Sequence, residues 1–289
     1  MAVQQKYARL SGILRELGPT VVAYSGGVDS TFLLKAAVDT LGADNVLACI
    51  GVSASLAASQ YDQAKKNAQI IGARLREVHI DELADDNYAA NNPDRCFHCK
   101  THLYSALKDV AAAEGFKTIV CGANLDDQND YRPGHRAAEI FGVRSPLAEA
   151  GLTKHDIRRL SRRMNLPTAE MPASPCLASR ISYGLRVTEK RLRQIEQAED
   201  FLRSLGLVEF RVRHHDTIAR IELRPEDIQK LTTDTARSAV VAHLKSLGFT
   251  YVTIDLQGFR SGSLNEPLAG TDKSNRPRPT PDDPPSAEH

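Results

Sequence analysis

The sequence predicts an α/β protein built on a doubly wound parallel sheet, with a smaller C-terminal α+β domain after it. Before residue 182, short apolar runs alternate with helical patterns, which is typical of parallel strands joined by right-handed crossovers. One of these runs turns through two adjacent glycines directly into a helix. After residue 187 the pattern changes to a long helix, two alternating strands and further helices. These observations indicate two units of different architecture.

Hydrophobic periodicity defines the elements of the first part. Leu10, Ile13 and Leu14 fall on one side of a helix over residues 3–17. Continuous apolar runs indicate strands buried on both faces, and Gly72 marks the end of a helix. In such sheets ligands bind beyond the carboxyl ends of the strands. The predicted strands are 21–23, 45–50, 75–80 and 118–121, and the predicted helices that follow the first are 31–37, 56–72, 100–113 and 153–164.

The second part alternates differently. Its predicted elements are a helix at 188–205 ending at Gly206, hairpin strands at 208–214 and 217–223, helices near 225–232 and 234–247, and a strand at 251–256. We therefore predict a first domain at 1–181 and an α+β domain at 182–262 that binds substrate or forms an oligomer. The tail at 263–289 is rich in proline, aspartate and serine, which predicts disorder.

The bulk composition is that of an ordinary globular protein. The chain has 289 residues, of which 42% are hydrophobic and 25% charged, and its net charge of +1 provides no basic field for nucleic acid. No run of about 18 apolar residues and no signal-peptide core occurs, so we expect a cytoplasmic protein without a membrane partner. Five cysteines, an odd number, favour free thiols over a disulfide framework. Cys49 and Cys121 fall in predicted strands and are expected to be small buried hydrophobes.

The stretch around the two adjacent glycines has the properties of an anion site. A strand, a glycine turn and a helix start leave backbone N–H groups unpaired, and the helix dipole adds partial positive charge. Gly26 and Gly27 let the backbone approach a phosphate without an intervening Cβ. Ser25 and Ser30 can donate through their hydroxyls, and Ser30 or Asp29 can cap the helix.

The motif in this stretch is Ser-Gly-Gly-Val-Asp-Ser. It is not a Walker A loop, because no Gly-Lys-Ser/Thr follows four spacer residues. It resembles the PP-loop of the ATP pyrophosphatases, which have an adenine nucleotide alpha hydrolase-like fold. Those enzymes hold the pyrophosphate of ATP, transfer AMP to a substrate oxygen and release pyrophosphate. The resemblance implies that Ser25, Gly26, Gly27, Asp29 and Ser30 bind ATP.

A second polar loop, residues 122–134, follows the predicted strand at 118–121. Its Asn and Asp side chains are typical of a solvated loop that uses them to turn the backbone. Alternatively, some of its carboxylates bind Mg²⁺ together with ATP, since Mg²⁺ favours one or two carboxylates plus phosphate oxygens. The residues alone leave both interpretations open.

Three cysteines form a candidate metal or cluster site. Cys96 and Cys99 lie three residues apart at a helix start, so both thiols face the same way, and Cys176 lies in a distant proline-rich loop. A lone C-x-x-C is also compatible with a redox pair or with coincidence. With His98 or His102 the three thiols could form a zinc site of three cysteines and one histidine. They equally suit a [4Fe-4S] cluster with one iron left free.

Several segments together carry a resemblance to one family. These segments are 25–30, 129–134, 173–180, 211–213 and 258–262. The combination resembles the LarE family, the ATP-dependent sulfur transferases that build the nickel-pincer nucleotide cofactor of lactate racemase. The resemblance covers nearly the whole chain. It implies that a carboxylate of pyridinium-3,5-biscarboxylic acid mononucleotide is adenylated and then attacked by a sulfur nucleophile, giving a thiocarboxylate.

The resemblance also implies a source of sulfur. In one version of the family, a cysteine at the position resembling Cys176 gives up its own sulfur and becomes dehydroalanine. In the other version, three cysteines hold a [4Fe-4S] cluster that carries a donatable sulfide on its free iron. The presence of Cys96 and Cys99 matches the second version, with sacrificial use of Cys176 as the alternative. The likeness further implies catalytic roles for Lys100 and Asp130.

Four arginines are predicted to bind the substrate phosphate. Arg211 and Arg213 lie two residues apart on a predicted strand, so their guanidinium groups project from one face. Two planar forks on one face suit a phosphate, and a pair of exposed strand arginines is the alternative. The family likeness adds Arg180, which lies close to Cys176, and Arg260, which lies in a Gly-rich turn.

Other functions remain open at this point. An iron–sulfur tRNA thiolase also joins a PP-loop to three cysteines, but it needs a basic surface for RNA. An ammonia-using amide synthetase gives the cysteines no task, and a nucleotide sensor would not release pyrophosphate. We expect ATP, Mg²⁺ and a [4Fe-4S] cluster as cofactors. We also expect a small pyridinium mononucleotide as substrate, an unidentified sulfide donor, no nucleic-acid partner and a homo-oligomer.

Overall fold

A four-stranded parallel sheet forms the first part of the computed structural model, which describes residues 2–129, 133–260 and 262–266. The strands lie in the order β3-β2-β1-β4, so the chain reverses its winding direction between β1 and β4. Val22 lies opposite Ala48 on one side and Val120 on the other. The strands are β1 (Thr20–Ala23), β2 (Val46–Val52), β3 (Arg74–His79) and β4 (Thr118–Cys121). The predicted doubly wound parallel sheet is confirmed.

A three-stranded sheet forms the second part. The strands β5 (Phe210–His215) and β6 (Ile218–Leu223) pair antiparallel, as the predicted hairpin requires. The last strand, β7 (Tyr251–Ile254), pairs with β6 in parallel. The crossover to this parallel strand consists of helices, so the predicted α+β architecture is confirmed.

Helices cover both faces of the first sheet and one face of the second. No helix in the described part of the chain is both long and apolar enough to cross a membrane. The helices are α1 (Val3–Leu17), α2 (Val28–Leu41), α3 (Ala58–Ile71), α4 (Asp86–Ala89), α5 (Arg95–Glu114), α6 (Pro133–Ile140), α7 (Pro146–Glu149), α8 (Lys154–Arg163), α9 (Glu189–Ser204), α10 (Ile228–Thr232) and α11 (Asp234–Ser246).

Apolar residues of the parallel sheet pack into two separate cores, one on each face. Val22 faces Phe32 of α2 on one side, whereas Val21 belongs to the core that includes Leu107 of α5 on the other side. This alternation follows from the two-residue period of a strand. Leu10 and Leu14 of α1 are fully buried in the first core, as their helical spacing predicts. The sheet is therefore covered on both faces, and its free carboxyl edge is left for function.

The two parts are connected through the segment that follows Cys176. Ile181 forms an isolated bridge with His214 of β5, and the Ser182 N–H donates to the His214 carbonyl at 3.2 Å. A further apolar cluster at this junction contains Leu177, Ile181 and residues of α9. The domain boundary near residue 182 stays a prediction, since the chain packs continuously across it.

The C-terminal end of the second part extends past the predicted boundary at 262. Ser263 is buried, and its hydroxyl donates to the Glu222 carboxylate of β6 at 3.0 Å. This contact explains why residues 262–266 pack against the sheet. Residues 267–289, which include most of the predicted tail, lie outside the described residues, as do residue 261 and the predicted catalytic residue Asp130.

A buried histidine makes the stability of the second part depend on pH. His214 is 2% exposed; its Nε2 lies 3.1 Å from the Gln194 Oε1, and its ring packs on Phe249 with centroids 5.1 Å apart. Burial lowers the pKa of His214 from 6.5 to about 4, and the nearby Arg191 adds to the effect. The unfolded chain therefore binds a proton in a pH range where the folded chain does not.

We expect the free energy of unfolding to fall by up to about 3 kcal/mol as the pH drops from about 6.5 to about 4 because of His214. The stability is fully present above pH 6.5, and it is lost as the pH approaches the lower, folded-state pKa. Urea unfolding across this range should show that His214→Phe reduces the slope, and part of the slope stays because burial also lowers the pKa of His215. His155→Gln, at an exposed position of α8, should keep it; equal slopes in both variants would contradict the assignment.

Candidate functional site

The Ser-Gly-Gly loop lies at the carboxyl end of β1 with a backbone that only glycine tolerates. Gly26 has φ +74°, and a Cβ at this position would lie 2.5 Å from the Ala64 Cβ of α3. Neither the Gly26 N–H nor the Gly27 N–H donates to another residue of the described chain. Two free donors at the start of α2 are what an anion site needs, and the predicted anion site at this loop stays a prediction.

The helix cap differs from the prediction. Gly27 is the N-cap of α2 and makes no side-chain cap bond, so neither Asp29 nor Ser30 caps the helix. The helix starts at Val28 because the glycine turn is shorter than expected, which places Ser30 inside the first turn. There the Ser30 hydroxyl lies 3.0 Å from the Ser25 hydroxyl and accepts from the Ser25 N–H at 3.2 Å. This contact closes the loop on itself.

Asp29 carries a buried oxygen without a partner. The Lys154 Nζ donates to the Asp29 Oδ2 at 2.5 Å, whereas the Asp29 Oδ1 has no hydrogen bond within the described chain. Burial raises the pKa of Asp29, Lys154 opposes this, and the nearby Asp127 raises it further. A buried carboxylate oxygen beside a second carboxylate fits a cation site at the edge of the anion loop.

The loop after β4 packs directly on the start of α2. A Cβ on Gly122 would lie 2.9 Å from the Ser30 nitrogen, so only glycine allows this approach. Within the loop, the Asp126 N–H donates to the Asn124 Oδ1 at 2.9 Å, which is the turn-forming use of such side chains. The Asp126 Oδ2 also accepts from the Lys154 N–H at 2.8 Å. The polar loop thus holds Lys154 close to Asp29.

The three candidate cluster cysteines lie around one junction. Cys96 and Cys99 occupy the first turns of α5, with Cys96 exposed and Cys99 and Cys176 half-buried. Burial raises the pKa of Cys176, the nearby Arg95 opposes this, and Cys96 adds to the rise. Cys49 and Cys121 are buried in β2 and β4, as predicted.

Backbone hydrogen bonds tie this junction to the carboxyl edge of the sheet. The Leu177 N–H donates to the Ser55 carbonyl at 2.9 Å, and Ser55 lies just beyond β2. The Ser53 hydroxyl donates to the Glu82 Oε1 at 2.9 Å. Burial and then the neighbouring Glu82 carboxylate raise the pKa of Cys99. The anion loop and the three thiols therefore share one edge of one sheet.

Arg180 is a buried structural partner of the cysteine loop. It is 2% exposed, and its Nε donates to the Glu199 Oε1 of α9 at 2.9 Å. Its Nη1 donates to the carbonyls of Pro175 and Cys176, the latter at 3.1 Å. The guanidinium therefore determines the course of the backbone around Cys176, and its fork is already occupied.

The two strand arginines are buried rather than exposed, and they differ from each other. Arg213 pairs with the Glu222 carboxylate at 2.9 Å and donates to Ser263. Arg211 donates to the carbonyls of Phe210 and Ala173, and within the described chain it has no carboxylate partner. Burial, with the nearby positive charges, lowers the pKa of Arg211 to about 10. Arg211 is thus the strand arginine with an uncompensated charge.

The remaining predicted residues are placed separately. Lys100 follows Cys99 on α5, and burial lowers its pKa, but charges on Tyr104 and the cysteines outweigh this and raise it. A Cβ on Gly134 would lie 3.1 Å from the Lys100 Cγ, so α6 begins beside this lysine. Arg260 pairs with Glu266, with its Nε 2.9 Å from the carboxylate.

Buried polar residues that the sequence analysis missed surround the cysteines. Glu82, Asn91, Arg95 and Glu199 are each at most 5% exposed. Their partners are up to 94 positions away in the chain, so no local pattern indicates them. The sequence contains one indication of such a residue, which is that Arg95 directly precedes Cys96.

The donor set around the cysteines does not suit a single metal ion. Within residues 2–129, 133–260 and 262–266, no three His, Cys, Asp or Glu side chains converge closely enough to hold one metal ion. The zinc set of three cysteines and one histidine considered from the spacing is therefore not formed there. A four-iron cube is larger than one ion, so its thiolates need not converge on one point. Three free thiols at one junction are chemically suitable ligands for such a cluster.

Some known proteins resemble this chain over almost its full length, and others over about half of it. An uncharacterised protein of Synechocystis sp. is 42% identical over 266 residues, which cover 92% of this chain and 99% of that protein. The pyridinium-3,5-bisthiocarboxylic acid mononucleotide synthase of Lactiplantibacillus plantarum is 41% identical over 263 residues, or 91% of this chain and 95% of that enzyme. The NH(3)-dependent NAD(+) synthetase of Methanococcoides burtonii is 24% identical over 163 residues, or 54% of this chain and 60% of that enzyme. No known family profile matches the chain.

The parallel sheet with a Ser-Gly-Gly loop at its carboxyl edge defines the class of PP-loop ATP pyrophosphatases. Within this class, the identity to the L. plantarum synthase over nearly the whole of both chains decides the family. The chain belongs to the LarE family. It is an enzyme, a sulfur transferase of the PP-loop class.

Replacing Gly122 by alanine tests the contact between the two loops. The added Cβ would meet the Ser30 backbone at 2.9 Å, and we expect this overlap to lower the free energy of unfolding by about 1–3 kcal/mol. Amide exchange at residues 27–31 should also accelerate. Gly12→Ala, in α1 with open space around it, should be neutral or stabilising. Equal behaviour of the two variants would contradict the packing.

Proposed function

We propose that this enzyme uses ATP to adenylate a carboxylate of pyridinium-3,5-biscarboxylic acid mononucleotide and then converts it into a thiocarboxylate. The reaction would be a step in nickel-pincer nucleotide synthesis. The product is supported by the name of the L. plantarum relative, a synthase of the bisthiocarboxylic acid mononucleotide. The observation that carries the proposal is the attachment of an anion loop and three thiols to one sheet edge.

The chemistry needs both components. A carboxylate resists attack by sulfur because its oxygen is a poor leaving group. Attack of that oxygen on the α-phosphorus of ATP would form an acyl adenylate and release pyrophosphate. The sulfur nucleophile would then form the C–S bond, and AMP would leave with the electrons of the C–O bond. Transfer to an activated acyl group therefore consumes one ATP for each sulfur atom introduced.

The anion loop suits the pyrophosphate of ATP. The unpaired N–H groups of Gly26 and Gly27 and the dipole of α2 favour negative charge at this point. The orphaned Asp29 Oδ1 and the neighbouring Asp127 would hold the Mg²⁺ that accompanies the phosphates. Ser25 and Ser30 shape the loop through their mutual contact.

A cleft of about 260 Å³ at the carboxyl end of β2 is a candidate position for the adenine base. Its apolar wall includes Val52, Leu56 and the Tyr61 ring, which suit a planar heterocycle. The cleft lies next to α3, the helix that contacts Gly26 through Ala64. A nucleotide could therefore reach from this cleft to the anion loop along one side of α3.

Cys96, Cys99 and Cys176 would hold the [4Fe-4S] cluster, as the family likeness and the three free thiols suggest. When bound, such a cluster supplies a deprotonated sulfide as the nucleophile. The Arg180 side chain positions the Cys176 backbone, and Lys100 adds positive charge beside Cys99. Asp130 remains the proposed catalytic carboxylate of the neighbouring loop.

Arg211 is the best placed of the four arginines to hold the phosphate of the substrate. Its guanidinium has no carboxylate partner within the described chain, whereas the forks of Arg180, Arg213 and Arg260 contact Glu199, Glu222 and Glu266. A buried cation without a counter-charge is costly, and a phosphate would remove that cost. The three paired arginines would contribute positive charge around the same position.

The rival functions lose support from the structure and the relatives. An ammonia substrate gives the three thiols around the sheet edge no task, and a net charge of +1 provides no basic field for an RNA substrate. The likeness to the NAD(+) synthetase covers about half of the chain, which reflects the shared PP-loop class. Release of pyrophosphate from ATP that depends on the pyridinium mononucleotide would distinguish this enzyme from a nucleotide sensor.

The sulfur source is tested by replacing the cysteines one at a time. Changing Cys96, Cys99 or Cys176 to alanine should remove the iron and the visible absorbance of anaerobically purified protein, together with sulfur transfer. Cys49→Ala, at a buried position of β2, should keep all three. Intact-mass analysis should show that Cys176 survives turnover.

Two outcomes would contradict the cluster. In the first, iron-free protein turns over and loses the mass of one hydrogen sulfide molecule per chain, with dehydroalanine at position 176, which would establish sacrificial chemistry. In the second, anaerobically purified protein contains stoichiometric zinc without iron.

The phosphate site is tested by comparing two arginines of β5. Arg211→Ala should raise the KM for the mononucleotide roughly ten- to hundredfold and leave ATP affinity unchanged, since a charge-assisted contact is lost. Arg213→Ala should mainly lower stability, because it leaves the buried Glu222 carboxylate without its partner. Arg237→Ala, at an exposed position of α11, is the control. An unchanged KM in Arg211→Ala would exclude its role.

A further inference from the structure

Two buried polar side chains connect the helix of Cys96 and Cys99 to the segment that follows Cys176. Asn91 is 0% exposed and Arg95 is 3% exposed. The Arg95 Nη1 donates to the Asn91 Oδ1 and also to the Ala178 carbonyl at 2.9 Å. Both residues therefore contact elements on either side of the cysteine junction.

Asn91 makes an unusually large number of contacts for one side chain. Its Nδ2 donates to the carbonyls of Ser182 and Leu185 at 2.9 Å each and lies 3.3 Å from the Ile181 carbonyl. Its backbone has φ +58°, which asparagine tolerates better than most residues. Its carbonyl accepts from the Gly184 N–H at 3.3 Å. Asn91 thus holds the backbone of residues 181–185 from one point.

Arg95 differs from the other deeply buried arginines of the site. Arg180 and Arg213 each pair with a buried carboxylate. Within the described part of the chain, no carboxylate lies within ion-pair distance of Arg95, and its two hydrogen bonds both use Nη1. A purely structural role would not require a buried positive charge without a counter-ion. Cys96 follows Arg95 directly in the chain, and Cys176 lies two residues before Ala178, whose carbonyl accepts from Arg95.

We infer that Asn91 and Arg95 are positioning residues that fix the Cys176 segment against the first turn of α5 and so set the spacing of the three thiols. The purpose of this arrangement rests on the proposed function, whereas its geometry does not. Arg95 acts on the backbone at Ala178, two residues after Cys176, and Asn91 acts on the backbone at 181–185. Both anchor points lie shortly after Cys176, so together they leave its thiol little freedom to move away from α5.

The experiment uses metal-free, reduced full-length protein and dibromobimane, a short reagent that fluoresces only after it has joined two thiols. Wild-type protein should give a bridge between Cys176 and Cys96 or Cys99, identified by peptide mass mapping. The bridge between Cys96 and Cys99 lies within one helix and serves as the internal reference. The ratio of the two bridges measures the position of Cys176 independently of iron and of activity.

Two variants remove the contacts without demanding a new backbone. Asn91→Gly keeps the left-handed conformation and deletes only the side chain. Arg95→Lys keeps the charge and loses the planar fork. Since each loses buried hydrogen bonds, we expect the ratio to fall about tenfold or more in both variants. Thr20→Val, which loses the buried bond from Thr20 to the Thr118 carbonyl at the other end of β1, should keep the wild-type ratio.

The ratio is measured at a temperature where each variant keeps the wild-type circular dichroism, so that unfolding does not cause the change. A wild-type ratio in both Asn91→Gly and Arg95→Lys would overturn the inference. So would a wild-type protein without any bridge to Cys176, or an equal fall in Thr20→Val. Iron analysis of the same preparations separates the two proposals. If the ratio falls as expected but wild-type protein binds no iron, the positioning role stands and the cluster does not.

Discussion

The buried ion pair between Arg180 and Glu199 is the interaction on which the site most depends. It joins the loop of Cys176 to α9, and the Glu199 carboxylate also accepts from the Val212 N–H of β5 at 3.2 Å. Three elements from both parts of the chain therefore meet at one pair of charges. Removing either partner would leave a buried charge uncompensated, which typically costs roughly 3–5 kcal/mol. The pair orders the cysteine loop but leaves little of the Arg180 guanidinium for a substrate.

Charge compensation also separates the arginines that the sequence analysis grouped together. Arg211 and Arg213 project from the same face of β5, and Glu222 lies directly opposite Arg211 on β6, yet its carboxylate pairs with the diagonal neighbour Arg213. The Glu222 carboxylate is shared with Arg220, which contacts it at 2.9 Å. The uncompensated Arg211 is the better suited anion-binding group. Neither the spacing of the two arginines nor the register of β5 and β6 indicates this difference, because the Arg211 guanidinium turns to the carbonyls of Phe210 and Ala173 instead of the carboxylate opposite it.

The fold could be predicted from the sequence because its elements carry strong periodic signals. The strand at residues 118–121 and the helix at residues 3–17 match the predicted bounds. The predicted hairpin also forms, with strand ends shifted by one or two residues. Such patterns are local, since they arise from which face each residue presents to a core. The cap of α2 was wrong because two glycines allow a tighter turn than a side-chain cap would need.

The candidate site could be predicted only in part. Glycine turns and paired cysteines have local signatures, so the glycine loop and the three cysteines could be proposed as site candidates from the sequence. Glu82, Asn91 and Arg95 were missed because their roles come from partners distant in the chain. Whether a charged residue is buried and paired depends on the packing of two separate units, which periodicity does not report. The sequence thus indicates the candidate reactive groups of the site but not the residues that support them.

The short segment between Leu177 and Ser182 has a mechanical consequence. One end is bound to Ser55 beyond β2, and the other end is bound to His214 of β5. A segment of this length can extend only a little further. A rotation of one sheet relative to the other would therefore stretch its backbone or break one of its two hydrogen bonds. Cys176 lies at one end of this tether. The rate at which an external thiol-modifying reagent reacts with Cys176 would therefore change with any hinge motion between the two sheets. This cysteine is a natural reporter of that motion.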